Sequence, residues 1–389
     1  MRELSTAGAA TLLGVACLTI MVGCVLVPGL ETIAPALGVS QGASWLITLP
    51  SLGVVLFGAL AGRTIDRFGA WRSLSWGLFL YGLLGSSGVF LHGMPALILN
   101  RLLLGGATAL VMAAGTSLLS TFYQGEARLK MIARQGMSIE LGGVIFLFIG
   151  GVLTTLSWRW PFALYLVAWL LLLMLWRWVP RPLQTPPQQK AENTRSNAAP
   201  LRPVRLAALL SMISFFTAVI LIPQFFSQQQ IGPAETGYFL SFISLIAVVA
   251  AAVMPEVIAA LGAWRTLIAA FCCYLCAHLI FAFAITLPIF ILGGVLLGIG
   301  FGLSIPTVNH LTVELSEERA RGRNLAALSV AIFSGQFLSS LMLALPGDIS
   351  GRFVGAAGVA GLAIAIFALH SRRQAAQADA AHDIAPRHR

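Results

Sequence analysis

Apolar stretches of roughly 20 residues, each ended by a basic residue, a glycine or a proline, follow one another along almost all of the 389-residue chain. That is the length an α-helix needs to cross the hydrocarbon core of a bilayer, and internal Gly and Pro are tolerated there when neighbouring helices cover the freed backbone groups. Twelve stretches qualify, at approximately 7–30, 43–62, 73–91, 95–121, 137–157, 161–179, 204–226, 236–258, 265–286, 288–313, 325–346 and 352–370. Arg2 followed by the run from Ala7 to Leu30 imitates a signal peptide, but equally apolar stretches follow it, so the first run reads as the first membrane helix.

The pattern breaks once. Arg181 to Pro203 is rich in Pro, Gln, Asn and charge and has no apolar period, which predicts a flexible linker. It divides the chain into an N-terminal six-helix bundle (1–180), the linker (181–203), a C-terminal six-helix bundle (204–371) and a tail (372–389). The halves read as copies. Gly69-Ala70-Trp71-Arg72-Ser73-Leu74 reappears 193 residues on as Gly262-Ala263-Trp264-Arg265-Thr266-Leu267, and the same offset carries Leu103-Leu104-Gly105 onto Leu296-Leu297-Gly298. An all-α integral membrane fold of two pseudo-symmetric six-helix bundles follows, with a cavity at the pseudo-axis that rocking exposes to each side in turn.

Composition narrows the function. Hydrophobic residues make up 58% of the chain and charged ones 10%, against about 25% charged in soluble domains. The formal charge of +10 comes from residues that punctuate apolar runs instead of forming a stripe, so no nucleic-acid partner is expected. Of the 24 Lys and Arg, all but Arg101, Arg159 and Arg352 fall on one side of the predicted spans, which makes both termini cytoplasmic. The five cysteines all lie in apolar segments with no zinc or disulfide spacing. Cys272, Cys273 and Cys276, with His278 nearby, read as apolar packing. No metal or other cofactor is expected.

Three segments carry a family resemblance. Gly62-Arg63-Thr64-Ile65-Asp66-Arg67-Phe68-Gly69-Ala70-Trp71-Arg72, placed between the second and third spans, resembles the loop signature G-x-L-x-D-R-x-G-R-K/R of the major facilitator superfamily. Arg101-Leu102-Leu103-Leu104-Gly105 resembles its R-x-x-x-G pattern, and Trp158-Arg159-Trp160-Pro161-Phe162 is similar to the W-R-W-x-F turn of its drug and metabolite exporters. The fifth-span signature G-x-x-x-G-P-x-x-G-G of proton-coupled exporters departs here. Gly150-Gly151 remains, but Phe146-Leu147 replaces the Gly-Pro, so no proline kink is expected.

The resemblance implies a twelve-helix secondary transporter, and single residues acquire expected roles. Gly62, Asp66, Arg67, Gly69 and Arg72 form a gating loop whose carboxylate docks on a helix N-terminus or a basic group of the other half when the cytoplasmic side shuts. The second copy has Ala259 and Ala260 in place of Asp66 and Arg67, so only the first loop supplies this latch. Arg101, an intramembrane cation, needs a negative partner or water. Glu31, after Pro28-Gly29, is its nearest candidate carboxylate by depth, and Glu140 is second. Gln224, Asn309 and Gln336 are polar candidates for lining the cavity, and each equally suits a helix-to-helix hydrogen bond. Phe215, Phe216, Phe225 and Phe226 suit either an aromatic wall or lipid contact.

No G-x-x-x-x-G-K-[ST] nucleotide site occurs, so energy must come from a gradient. The expectation is proton-coupled export of a small organic compound, such as a drug, siderophore or metabolite, by a monomeric antiporter in a bacterial-type inner membrane. The alternatives are an importer of an anionic nutrient, with Arg101 as counter-charge, and a non-transporting receptor or scaffold on the same fold. An enzyme is not expected: the extramembrane loops are too short to fold a catalytic domain.

Overall fold

The computed structural model describes residues 4–39, 41–182, 201–284, 286–317 and 320–384. The predicted linker lies largely outside the described residues, and Arg202 and Pro203 already belong to the next helix. Among the described residues every regular element is helical: α1 Thr6–Cys24, α2 Leu30–Ala36, α3 Trp45–Phe68, α4 Ala70–Ser87, α5 Met94–Phe122, α6 Gly125–Leu156, α7 Trp160–Ala163, α8 Val167–Trp178, α9 Arg202–Gln228, α10 Pro233–Ala252, α11 Met254–Leu261, α12 Ala263–Phe283, α13 Leu287–Glu314, α14 Arg321–Leu338 and α15 Ile349–Ile384. Twelve of the described segments are long and apolar enough to cross a bilayer, and they coincide with the twelve read from the sequence to within a turn or two.

Local chemistry explains where the boundaries differ. The first span stops at Cys24, not at residue 30. Pro28 has no N–H and disfavours helix for the residue before it, so Val25–Gly29 form turns before α2 begins. The eighth span ends at Ala252 because Pro255 has no N–H to offer the Ala251 carbonyl, and α11 restarts with Pro255 in its first turn. The tail expected from residue 372 continues as helix to Ile384. The gating segment is not a loop either: α3 runs through Phe68, and Gly69 alone separates it from α4.

That single glycine is where the internal repeat is most exact in shape. Gly69 has φ 81° and ψ 154°, and Gly262 has φ 83° and ψ 153°. Both N–H groups donate to the carbonyl four residues back, Ile65 and Ile258, each at 2.8 Å. Both carbonyls accept from the residue four on, Ser73 at 3.1 Å and Thr266 at 3.0 Å. A side chain is rarely found at such φ, so glycine is what lets one helix stop and the next start without a loop.

The helices group into two compact units, one of Met1–Arg195 with Val219–Val248 and Gln336–Leu341, the other of Ser196–Ala218 with Val249–Gly335 and Met342–Arg389. In the first unit α3 lies so close to α5 that a Cβ on Gly53 would stand 2.9 Å from the Gly105 Cα. Gly82 and Gly85 of α4 likewise leave room for the Trp169 and Tyr165 rings. Small residues at crossings of this kind are how membrane helices gain contact area where no hydrophobic effect drives them together. The second unit has a polar centre. Tyr274 on α12 bonds Ser211 and Ser304, both at 3.0 Å, and His278 Nε2 bonds the Ser214 carbonyl at 3.0 Å.

Candidate functional site

Arg101 sits on α5, wholly buried in the first unit. Its guanidinium faces two rings, 5.4 Å from the Phe162 centroid and 5.8 Å from that of Tyr165. Nη1 donates to the Tyr165 hydroxyl at 3.4 Å, while Nε and Nη2 meet no protein acceptor. Gly88 makes the room, since a Cβ there would stand 2.6 Å from Nη2. Among the described residues no hydrogen bond or ion pair joins Arg101 to Glu31 or Glu140. Where a carboxylate partner was expected, the quadrupoles of two aromatic rings face the cation. Phe162 is the last residue of the Trp158–Phe162 turn, so that turn serves as the seat of the α5 arginine.

Glu31 stands in the first turn of α2. The Gln224 side chain on α9 hydrogen-bonds its carboxyl, while Oε1 is buried without a partner. Burial raises the affinity of this carboxyl for a proton above the usual carboxylate range, and the Gln224 bond partly offsets that by favouring the charged form. Close packing confines the pair. Gly29 lies directly against the Thr154 side chain of α6, and Gly150 against the Val25 carbonyl.

The same stretch of α6 fits α10 along one stripe. A Cβ on Gly151 would stand 2.9 Å from the Gly237 Cα, and one on Gly237 would stand 2.7 Å from the Leu147 carbonyl oxygen. Ser241 donates to the Val144 carbonyl at 2.9 Å, and the Phe148 and Tyr238 rings lie 5.1 Å apart. The Gly150-Gly151 pair of the altered signature therefore works in two directions, one glycine toward the α1–α2 turn and the other toward α10. Glu140 is three turns earlier on α6, half-buried and within electrostatic reach of Cys24.

The remaining sequence candidates are dispersed. Asn309 bonds the Ile305 carbonyl of its own helix at 2.9 Å. Gln336 is buried, and its carbonyl accepts from Ser339 Oγ at 2.6 Å. Gly62, Asp66, Arg67, Gly69 and Arg72 are all exposed, and Arg67 lies 5.3 Å over Phe68. Among the described residues Asp66 has no ion pair. Of the four phenylalanines, Phe215 stacks on Phe301 with centroids 3.9 Å apart, and Phe226 meets Phe239 at 5.3 Å. Sequence reading missed Tyr165, Thr154, Gly237 and Ser241. Only Gly237 carried a signal, a small residue near the start of a span. Among the described residues no three His, Cys, Asp or Glu are placed to hold a metal.

Residues 11–340 match the sequence profile of the Major Facilitator Superfamily. The chain belongs to that superfamily. It is a membrane transporter and not an enzyme. Over 136 residues, 34% of this chain, it is 30% identical to the quinolone resistance protein NorB of Staphylococcus aureus (strain JH9) and covers 29% of that protein's length. Two solved structures show the same fold at low identity. A D-xylose-proton symporter superposes with TM-score 0.73 at 17% identity, covering 93% of this chain and 95% of that one. A POT family transporter in complex with 5-aminolevulinic acid gives 0.77 at 13%, covering 94% and 96%.

Proposed function

We propose that this transporter exports a small organic compound by alternating access, driven by protons that enter in exchange, with Glu31 as the proton-carrying group and Glu140 as the second candidate. The observation that carries the proposal is the Glu31 pair. A buried carboxyl oxygen without a partner, beside a single amide donor, is a site where gaining or losing a proton changes the local charge balance substantially. The pair joins α2 to α9 two residues from Gly29, which packs on Thr154 of α6, and α6 in turn meets α10 through Gly151 and Gly237, so in this reading its protonation is coupled to whether those helices stay together. The export direction is supported by the similarity to a quinolone resistance protein. In this reading the α6–α10 stripe closes the side away from the basic residues, Asp66 becomes a latch when the opposite, cytoplasmic side shuts, and Arg101 biases the charge of the first bundle from its aromatic seat.

The test is transport in proteoliposomes with a fluorescent quinolone as probe. Glu31→Gln should lose pH-driven accumulation and keep substrate exchange in the absence of a pH gradient. Full pH-driven transport by a Glu31→Gln/Glu140→Gln double variant overturns the assignment.

A further inference from the structure

A groove in the first unit lies away from Glu31, Glu140 and Arg101. It has a volume of about 800 Å³ and is lined by α4, α8 and the residues just after α8. Its chemistry is lopsided. Arg72, Arg177 and Arg181 line it, all exposed, and no carboxylate does. Its aromatic wall is Trp71, Trp76, Phe79, Trp176 and Trp178, of which Trp76 and Trp176 are 63% and 55% exposed.

The wall is built, not incidental. Trp71 Nε1 donates to the Val179 carbonyl at 3.0 Å, and the Arg181 guanidinium lies 4.4 Å from the Trp71 ring centroid. Trp176 Nε1 donates to Ser75 Oγ at 3.1 Å. With their polar edges bonded inward, the indoles turn apolar faces to the groove, while three guanidinium groups stand at its basic end. Aromatic rings with basic side chains at the end of a membrane span match the boundary between acyl chains and headgroups.

The internal repeat shows that the fold does not demand this arrangement. At the same offset of 193 residues, Trp71 and Arg72 have the counterparts Trp264 and Arg265, but Trp176, Arg177 and Trp178 become Leu369, His370 and Ser371. In that second copy the position facing the tryptophan is taken by His370, 4.5 Å from Trp264.

We infer that the α4–α8 groove holds one anionic phospholipid, its phosphate on Arg72, Arg177 and Arg181 and an acyl chain along the tryptophan wall. Charge complementarity selects this occupant. The sequence that follows the groove, from residue 183 to 200, carries Lys190, Glu192 and Arg195 and is itself net basic, so it does not suit a site of three arginines. A lipid phosphate offers two non-bridging oxygens that the planar guanidinium of arginine holds bidentately. Held there, the lipid ties the end of α8 to the start of α4, on the side chains next to the Gly69 turn.

The experiment is native mass spectrometry of the full-length protein in detergent, titrated with phosphatidylglycerol and, separately, phosphatidylcholine. The protein should bind one phosphatidylglycerol at least roughly tenfold more tightly than phosphatidylcholine, since each basic residue near an anionic surface contributes measurably to lipid affinity. In an Arg72→Gln/Arg177→Gln/Arg181→Gln variant the preference should vanish, while Arg265→Gln should keep it. Equal affinity of the unaltered protein for the two lipids, which needs no variant to fold, overturns the inference, as does a triple variant that folds and keeps the preference. Inorganic phosphate at equal concentration should leave the adduct in place. Displacement by it would make this a soluble-anion site and overturn the lipid assignment.

Discussion

A half-buried carboxyl with one unbonded oxygen and an arginine facing rings instead of acids are both costly arrangements, and each makes a separate prediction. Because burial raises the proton affinity of Glu31 and the Gln224 bond lowers it, removing that bond in Gln224→Leu should raise the affinity further. The acid limb of a pH–transport profile should then move to higher pH. An unmoved limb, or one displaced to lower pH, contradicts the pairing. Arg101 has one long hydrogen bond and two unmet donors. A buried charge without a full set of partners carries a desolvation cost that its contacts do not offset, and an apolar side chain of similar size removes that cost. Arg101→Met should therefore keep or raise the melting temperature while transport falls. A large loss of stability would make Arg101 a structural strut. The aromatic seat of Arg101 was not legible in the sequence, because Tyr165 and Gly88 stand 64 and 13 residues from it with no charge pattern to link them.

Between elements, the governing contacts are glycine to backbone. Gly69 and Gly262 have open space where a methyl group would stand, but they share a backbone conformation that disfavours any side chain. Ala at either position should cost about 1–3 kcal/mol from the backbone alone, and thermal unfolding of the two variants should show similar losses. Effects that differ severalfold would mean that the two turns are not equivalent. At Gly151 the limit is space: a Cβ would stand 2.7 Å from the Pro233 carbonyl oxygen and 2.9 Å from the Gly237 Cα. Gly151→Val should part α6 from α10, so that a cysteine placed at Tyr238 labels faster than in the unaltered background and transport slows. Unchanged labelling would show that the stripe does not hold the helices together. Helix existence was legible throughout from apolar length and the repeat. What the pattern hid were breaks set by single prolines, at Pro28 and Pro255, and the helical state of Gly62–Phe68, whose charges look loop-like although they continue α3. The Gly150-Gly151 pair was visible, but not its partner Gly237, which lies 86 residues further along the chain from Gly151.

At the largest scale, twelve spans among the described residues and the repeated turn support the transporter fold directly, whereas the coupling ion rests on Glu31 and the direction on likeness to a resistance protein. Topology can be checked independently: single cysteines at residues 181–203 and beyond Arg372 should react with impermeant reagent only from the cytoplasmic side, as the distribution of basic residues requires. The latch should appear in the turnover rate, with Asp66→Asn binding substrate normally but cycling more slowly. The most direct measurement is accumulation of a fluorescent quinolone in proteoliposomes under an imposed pH gradient, acidic on the side from which protons would enter, with the Glu31→Gln variant in parallel. Proton exchange through Glu31 requires accumulation against the quinolone gradient that collapses when the pH gradient is dissipated, and exchange without accumulation in the variant. Accumulation that is indifferent to the pH gradient, or equal in the variant, would contradict it.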